Sequence, residues 1–292
     1  MTSAVPSETD QTAATPTKRP GMSTRHRVLF FVIAWFIAFM PLMFWWNTWF
    51  GRTLSDKQVA EYLRDDHHPR HIQQALVQMS ERISRHDKAV AHWYPELVRL
   101  STHPVEEVRN TDAWVLGQDT TAPGFHEALL KMLNDASPLV RGNAALSLVR
   151  YGDASGRPQI IELLQSKTVS APITGRVIDA DRPGTAIRQG GLIAKIQKDQ
   201  QTEDVRSPIS GRIRSVFAQT GQNVQSGAEL ATIDPAIDQA WEALRALYLI
   251  GQPEDLAVVT PYERELPEIP AQLREQALLT EKAIRERANP AH

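Results

Sequence analysis

The segment from Val169 to Asp234 contains one pattern twice, and this duplication constrains the fold more than any other feature of the chain. Each copy has a Pro, a Gly three residues later, a strand-like alternation, and a turn of the form Gly-x-x-(Val/Ile)-x-x-Gly. The paired positions are Pro172, Gly175, Gly184 and Gly190 in the first copy and Pro208, Gly211, Gly221 and Gly227 in the second. Pro fixes φ, and Gly marks a bend or a close approach of two backbones. Two such units, related by a pseudo-two-fold axis, can bury a core that neither buries alone. The pattern therefore predicts a small β-sandwich of short strands at residues 168–234.

These paired halves resemble the biotinyl/lipoyl fold and the barrel-sandwich module of HlyD-type membrane fusion proteins. The resemblance implies a barrel-sandwich hybrid fold and an adaptor role in membrane transport. Carrier domains present a lysine, usually flanked by methionines, on the hairpin between the halves. Counted back from Pro208, that slot falls near Gln200, and Lys198 is out of register. We therefore expect no cofactor, although a biotin or lipoate carrier modified at Lys198 is the alternative.

The link between the two halves is short, and it provides the candidate contact site of the module. Membrane fusion proteins often carry a long helical hairpin here, but only Gln197 to Asp204 separate the halves in this chain. The link predicts a tight turn and excludes a long coiled-coil reach. The predicted partner-contact residues are Lys198, Asp199, Gln200 and Gln201.

Residues 54–167 show a helical pattern that recurs about every thirty residues, which is typical of an α-solenoid. The stretch Val108–Gly117 matches Val140–Val149, and a looser copy begins at His71. The pattern resembles HEAT repeats, in the short form found in phycobilisome-lyase-like proteins. In such arrays the Arg that follows Val bridges to an acidic residue of a neighbouring repeat. The resemblance therefore implies a structural role for Arg109 and Arg141.

The helical pattern returns after the β module, at residues 235–259. We favour an insertion of the β module into the solenoid, and the alternative is a linear series that ends in unrelated helices. Insertion predicts that helix 236–250 packs on helix 157–166. Within the final segment, 260–292, the Pro- and Glu-rich part from Thr260 to Ala271 is expected to be extended. A helix is expected from Gln272 to Arg287, with Thr280 interrupting its apolar stripe.

The N-terminal part of the chain predicts a disordered segment and a membrane anchor. Residues 1–27 are rich in Ser, Thr, Pro and Ala and end in Lys and Arg residues. Residues 28–50 carry no charge and end in three Trp, which predicts one transmembrane helix in contact with the lipid bilayer. A cleaved signal peptide is the alternative, but no small-residue cleavage site follows. The preceding basic cluster favours a cytoplasmic N-terminus and a periplasmic bulk, in a bacterial inner membrane.

The search for reactive groups finds one concentration of ligand-like residues, from Asp65 to His71. Asp and His bind transition metals. However, the interposed Pro-Arg pair breaks the i, i+4 face that one helix would need, so we expect N-terminal caps there and no metal. The chain has no Cys and a net charge of −2, which excludes thiolate chemistry and argues against a nucleic-acid partner. No phosphate loop, zinc-protease motif or nucleophile elbow is present.

Together these patterns predict an α+β multidomain protein with one N-terminal transmembrane helix, a HEAT-like α-solenoid and an inserted barrel-sandwich hybrid module. The expected function is a non-catalytic, membrane-anchored adaptor or scaffold for protein partners, such as transporter subunits, of an envelope transport or export complex. A HEAT-type lyase-like enzyme is a further alternative. Ring formation is common among the adaptors that the chain resembles, which leaves a homo-oligomer open.

Overall fold

The computed structural model describes residues 28–37, 39–40 and 53–289, and the chain divides into the units Met1–Thr53 and Leu54–His292. In the first unit the helical residues 28–37 and 39–40, here α1, expose large apolar side chains. No helix within the described residues is both long enough and apolar enough to cross a membrane. The predicted disordered segment 1–27 and residues 41–50 of the predicted anchor lie outside the described residues.

The second unit is helical on both sides of a β module. The helices before the strands are α2 (Asp56–Tyr62), α3 (Pro69–Ser84), α4 (Tyr94–Leu100), α5 (Glu106–Leu116), α6 (Phe125–Met132), α7 (Pro138–Val149) and α8 (Arg157–Glu162). A 3₁₀ helix, Lys88–Trp93, leads into α4. The helices after the strands are α9 (Ile237–Ile250), α10 (Leu256–Val259) and α11 (Ala271–Ala288), with 3₁₀ helices at Pro253–Asp255 and Thr260–Glu263.

Ion pairs within and between helix pairs stabilise the first part of the helical array. Arg109 on α5 binds Asp135 through two nitrogens, at 2.6 and 2.9 Å. Arg141 on α7 lies 3.7 Å from Glu162 of α8. The expected bridge to a neighbouring helix pair is therefore confirmed for Arg109. It is wrong for Arg141, because Glu162 belongs to the second helix of the same pair. Ser137 caps α7 and is followed by a Pro in the first helical turn, as its sequence indicates.

The helical core continues from α8 to α9, although the β module separates them in the chain. α9 contacts both α7 and α8, and one hydrophobic cluster includes Ile160, Leu244 and Ile284. Arg157 on α8 also forms an ion pair of 2.9 Å with the buried carboxylate of Asp255. Helices on both sides of the β module thus share one core.

The final segment differs from its predicted conformation in two places. Residues Thr260–Glu263 form a 3₁₀ helix where an extended chain was expected. Thr280 does not interrupt the buried stripe of α11, because it is itself fully buried. Its hydroxyl lies 2.8 Å from the carbonyl of Gln276 on the same helix and 2.9 Å from the carbonyl of Leu244 on α9, so the polar group has acceptors.

The β module consists of two four-stranded antiparallel sheets around a core of its own. The strands are β1 (Lys167–Ser170), β2 (Gly175–Ala180), β3 (Ala186–Ile187), β4 (Leu192–Lys198), β5 (Gln201–Arg206), β6 (Gly211–Val216), β7 (Asn223–Val224) and β8 (Glu229–Pro235). The sheet orders are β1-β8-β6-β3 and β5-β4-β2-β7. If each strand is replaced by its equivalent in the other copy (β1 by β5, β2 by β6, β3 by β7, β4 by β8, and the reverse), one sheet order becomes the other. The pairing irregularities match as well, at 177–179 in one sheet and 213–215 in the other. The predicted β-sandwich of two near-copies is confirmed.

Two paired glycines allow neighbouring antiparallel strands to approach each other closely. A Cβ on Gly175 would lie 2.5 Å from the carbonyl oxygen of Gln197, and one on Gly211 would overlap the carbonyl oxygen of Asp234. The turn glycines meet a different requirement, because their φ angles are positive, as at Gly227 with φ of 85°.

Candidate functional site

The β4–β5 hairpin places the predicted contact residues at an exposed tip. Lys198 and Gln201 are cross-strand partners, so that Asp199 and Gln200 form a two-residue turn. Asp199 has φ of 54°, a left-handed conformation that Asp tolerates better than most residues. All four side chains are exposed. The structure thus brings Lys198, Asp199, Gln200 and Gln201 together at one tip.

The hairpin tip has polar chemistry. Gln200 occupies the turn, and Lys198 is the last residue of β4. Along β5 only Val205 is buried. Asp204 forms an ion pair of 2.7 Å with Arg206. Such a tip can present amides and charges to another protein surface.

A groove between α7, α9 and α11, hereafter the helical groove, is a second candidate surface. It comprises two adjoining cavities of about 740 Å³ each, which share the lining residues Asn143, Leu146 and Glu242. Its further apolar lining comes from Trp114, Ile237, Trp241, Tyr248, Leu249, Leu273 and Leu279. The groove therefore combines apolar side chains with a few polar groups, as binding sites do.

Charged groups in the helical groove lie beside its aromatic side chains. The guanidinium of Arg245 lies 4.6 Å from the ring centroid of Trp241 and 3.5 Å from the carboxylate of Glu242. Arg150 donates a hydrogen bond of 2.7 Å to Gln118 near the other cavity. The sequence patterns predicted helices here but no binding role for any residue of this groove. Apolar residues of α9 outside its buried stripe, such as Tyr248 and Leu249, are the sequence signal that could have indicated the groove.

One buried carboxyl group lies inside the helical array. Asp112 on α5 is fully buried, and its two oxygens have no hydrogen-bond partner among the described residues. Burial raises the pKa of this carboxyl well above its usual value. Asp112 does not line either cavity of the helical groove, so it is not placed to act on a ligand there.

The ligand-like cluster near the start of α3 is more closely assembled than the sequence analysis expected. Asp65 lies 2.9 Å from Nδ1 of His68 and 2.7 Å from Nδ1 of His71. These two hydrogen bonds hold the pKa of Asp65 below its usual value. The expectation that the cluster supplies helix caps is wrong, since no side chain caps the amino end of α3. The three side chains converge without an i, i+4 face on one helix, because Asp65 reaches the histidines from the preceding loop.

Comparisons with known proteins concern mainly the β module. A family model described as "Biotin-requiring enzyme" (Biotin_lipoyl) matches residues 167–233. The "Putative efflux system component YhbJ" of Bacillus subtilis (strain 168) is 41% identical over 68 residues, which are 23% of this chain and 30% of the relative. Residues 167–233 are therefore a biotinyl/lipoyl-like module. The chain spans only 30% of the length of this curated relative.

One solved structure, titled "Structure and function of a single-chain, multi-domain long-chain acyl-coa carboxylase", aligns with 34% of this chain and 10% of that chain. The two are 18% identical with a TM-score of 0.24, and no inference is drawn from that likeness. The resemblance of the helices to HEAT repeats stays a prediction.

Proposed function

We propose that this protein is a non-catalytic, membrane-anchored adaptor that couples protein partners of an envelope transport or export complex. The observation that carries the proposal is the position of Gln200 in the β4–β5 turn. The module has the biotinyl/lipoyl-like pattern, but its hairpin turn carries Asp199 and Gln200 in place of a lysine. A module of this kind without the acceptor residue is suited to docking. The short likeness to an efflux system component in B. subtilis supports a transport context.

The helical part offers a second contact surface for the same role. We infer that the β module is inserted into a HEAT-like array, because α8 and α9 pack together across it. The helical groove lies on this array and the hairpin tip on the inserted module. An adaptor needs two such contact surfaces, one for each partner.

Site-specific photocrosslinking in intact membranes tests the hairpin contact. A crosslinking amino acid at Gln200 should capture a membrane transport or export subunit, which mass spectrometry of the adduct identifies. The control position is Thr220, an exposed residue in another turn of the same module. Equal capture from Gln200 and Thr220, or capture of unrelated proteins only, would contradict a docking role for the hairpin.

A matched pair of leucines tests the helical groove. Leu279 lines the groove and is 53% exposed, whereas its neighbour Leu278 is 47% exposed and lies outside the groove lining. Leu279→Glu should release the partner, because it places a charge in an apolar contact. Leu278→Glu should retain the partner. If both variants co-purify with it equally, the groove is not a contact surface.

A carrier function is the second candidate, and the match of residues 167–233 to the biotin-requiring family favours it. It requires biotin or lipoate on Lys198, since no lysine stands in the turn itself. The intact mass of the protein purified from its own cells distinguishes the two roles. We expect the unmodified mass for both the natural protein and Lys198→Arg. A biotinyl or lipoyl adduct that Lys198→Arg removes would establish the carrier and overturn the adaptor proposal.

The proposed location is a single-pass inner-membrane anchor with the bulk of the chain in the periplasm. The chain has no Cys, so one introduced Cys reports its own side of the membrane. In intact spheroplasts, a membrane-impermeant maleimide should label Gln200→Cys at the exposed hairpin tip. Labelling that occurs only after the spheroplasts are lysed would place this part in the cytoplasm.

A further inference from the structure

The loop between α2 and α3 brings three metal-binding side chains to one point. Pro69 sits in the first turn of α3, so that His68 is the N-cap residue and His71 lies within the first helical turns. Asp65 lies in the loop, and its main-chain carbonyl accepts a 3.0 Å hydrogen bond from the amide of His68. One ligand atom from each of Asp65, His68 and His71 lies within 4.8 Å of the other two.

The orientation of the two imidazole rings is fixed by neighbouring groups. The ring of Tyr62 stacks on His71 with centroids 4.3 Å apart and an interplanar angle of 10°. The rings of His68 and His71 lie 5.1 Å apart, and both direct Nδ1 to the carboxylate of Asp65. Ring orientation by such neighbours is a usual feature of metal sites, because it limits the rearrangement that binding requires.

We propose that Asp65, His68 and His71 bind a divalent transition-metal ion, with Zn²⁺ as the expected species. Two imidazoles and one carboxylate suit Zn²⁺ and its neighbours in the first transition row, whereas Ca²⁺ and Mg²⁺ require oxygen ligands. Three protein ligands leave one position of a tetrahedral ion for water or a ligand from another molecule. The exposed side chain of His68 gives the ion access from solvent, since 65% of its surface is accessible.

Metal binding would replace hydrogen bonds that the three side chains already make. Zn–ligand bonds of about 2.0–2.1 Å place neighbouring ligand atoms about 3.3 Å apart in a tetrahedron. The Nδ1–oxygen distances of 2.7–2.9 Å must therefore open by about half an ångström. Small rotations of these side chains allow this change, provided that each imidazole carries its proton on Nε2.

The neighbouring carboxylate of Asp66 is already committed to other groups, which limits the ligand set. Asp66 accepts a hydrogen bond of 3.1 Å from Arg99 and lies 3.6 Å from Nε2 of His103. Among the described residues, the site therefore has three ligands. The metal site lies in the helical array and contains no residue of the β module, so its test does not depend on the proposed adaptor function.

Calorimetric titration of the full chain with Zn²⁺ alone tests the proposal, on protein that carries no histidine tag and has been dialysed against a chelator. The variants are His68→Gln and His71→Gln. The matched control is His126→Gln, because His126 also contacts a carboxylate, that of Asp153 at 2.7 Å, but has no second histidine in its pair. Co²⁺ absorption spectra give a second readout, since they report the number and geometry of nitrogen and oxygen ligands.

The expected result is one Zn²⁺ per chain in the natural protein and in His126→Gln, with at least about a tenfold loss of affinity in each of the other variants. Far-UV circular dichroism checks the fold. If His71→Gln does not fold, His68→Gln decides the question, because the exposed side chain of His68 is not part of the core. The proposal fails if the natural protein binds no Zn²⁺, or if His68→Gln binds it as the natural protein does.

Discussion

Replacement of Asp112 by alanine should stabilise this protein at neutral pH. The side chain is fully buried on α5 and makes no hydrogen bond within the described part of the chain. An unsatisfied buried polar group costs about 1–3 kcal/mol. The alanine variant loses a little packing, so near pH 4, where the carboxyl is neutral, we expect a net gain of about 1–2 kcal/mol, or a rise in Tm of about 2–8 °C for a unit of this size. The gain should be larger at neutral pH. The equivalent helix of the next helix pair, α7, has the buried Ala144 at the matching position.

The effect should depend on pH, because burial raises the pKa of the Asp112 carboxyl well above its usual value. In the unfolded chain the pKa of this carboxyl is about 3.9. Below that pH the carboxyl is protonated in both states, and its ionisation costs the folded state nothing. As the pH rises towards the folded pKa, the unfolded chain alone ionises, and the free energy of unfolding falls by up to about 1.4 kcal/mol per pH unit. The advantage of Asp112→Ala should therefore grow from about pH 4 upwards.

Urea unfolding followed by circular dichroism, at several pH values between 4 and 7, measures this difference. The control is Glu107→Ala, which removes an exposed carboxylate from the same helix. Its effect should stay within about 0.5 kcal/mol at every pH. The reasoning is refuted if Asp112→Ala is less stable than the natural protein at pH 7. It is also refuted if the stability difference between the two proteins is the same at all pH values.

Two further substitutions test the packing of the β module and its junction with the helices. Gly211→Ala should destabilise the β module by more than about 3 kcal/mol, because a Cβ would overlap a strand carbonyl, whereas Gly227→Ala should cost only about 1–2 kcal/mol for its positive φ. Limited proteolysis of the hairpin region compares the two variants. Equal resistance to the protease would show that the strands separate freely. Arg157→Ala should lower the free energy of unfolding by about 3–5 kcal/mol in thermal unfolding, because it leaves the buried carboxylate of Asp255 without its ion-pair partner. The control is Arg285→Ala, which breaks an exposed ion pair and should cost less than about 1 kcal/mol. A loss of similar size in both arginine variants would mean that the first pair has no special role at the junction.

The sequence by itself determined the β module, including the absence of a lysine from its hairpin turn. Pro and positive-φ Gly residues act locally, and the same local requirements appear twice at a constant separation. The register of Gln200 in the turn could likewise be counted from Pro208, since strand lengths leave little freedom between the two positions. The bridging role of Arg109 was also predictable, because the resemblance to HEAT repeats implied it.

The tertiary structure alone decided which polar residues are buried and which of them come together. Thr280 looked like an interruption of an apolar stripe, but it packs against α9, where the carbonyl of Leu244 lies 2.9 Å from its hydroxyl. Asp65 joins the two histidines because a loop turns back on the following helix, which helical periodicity does not describe. Asp112 is buried because α5 packs against the separate helices α3 and α7. Each of these outcomes depends on contacts between separate elements, and local sequence patterns do not contain that information.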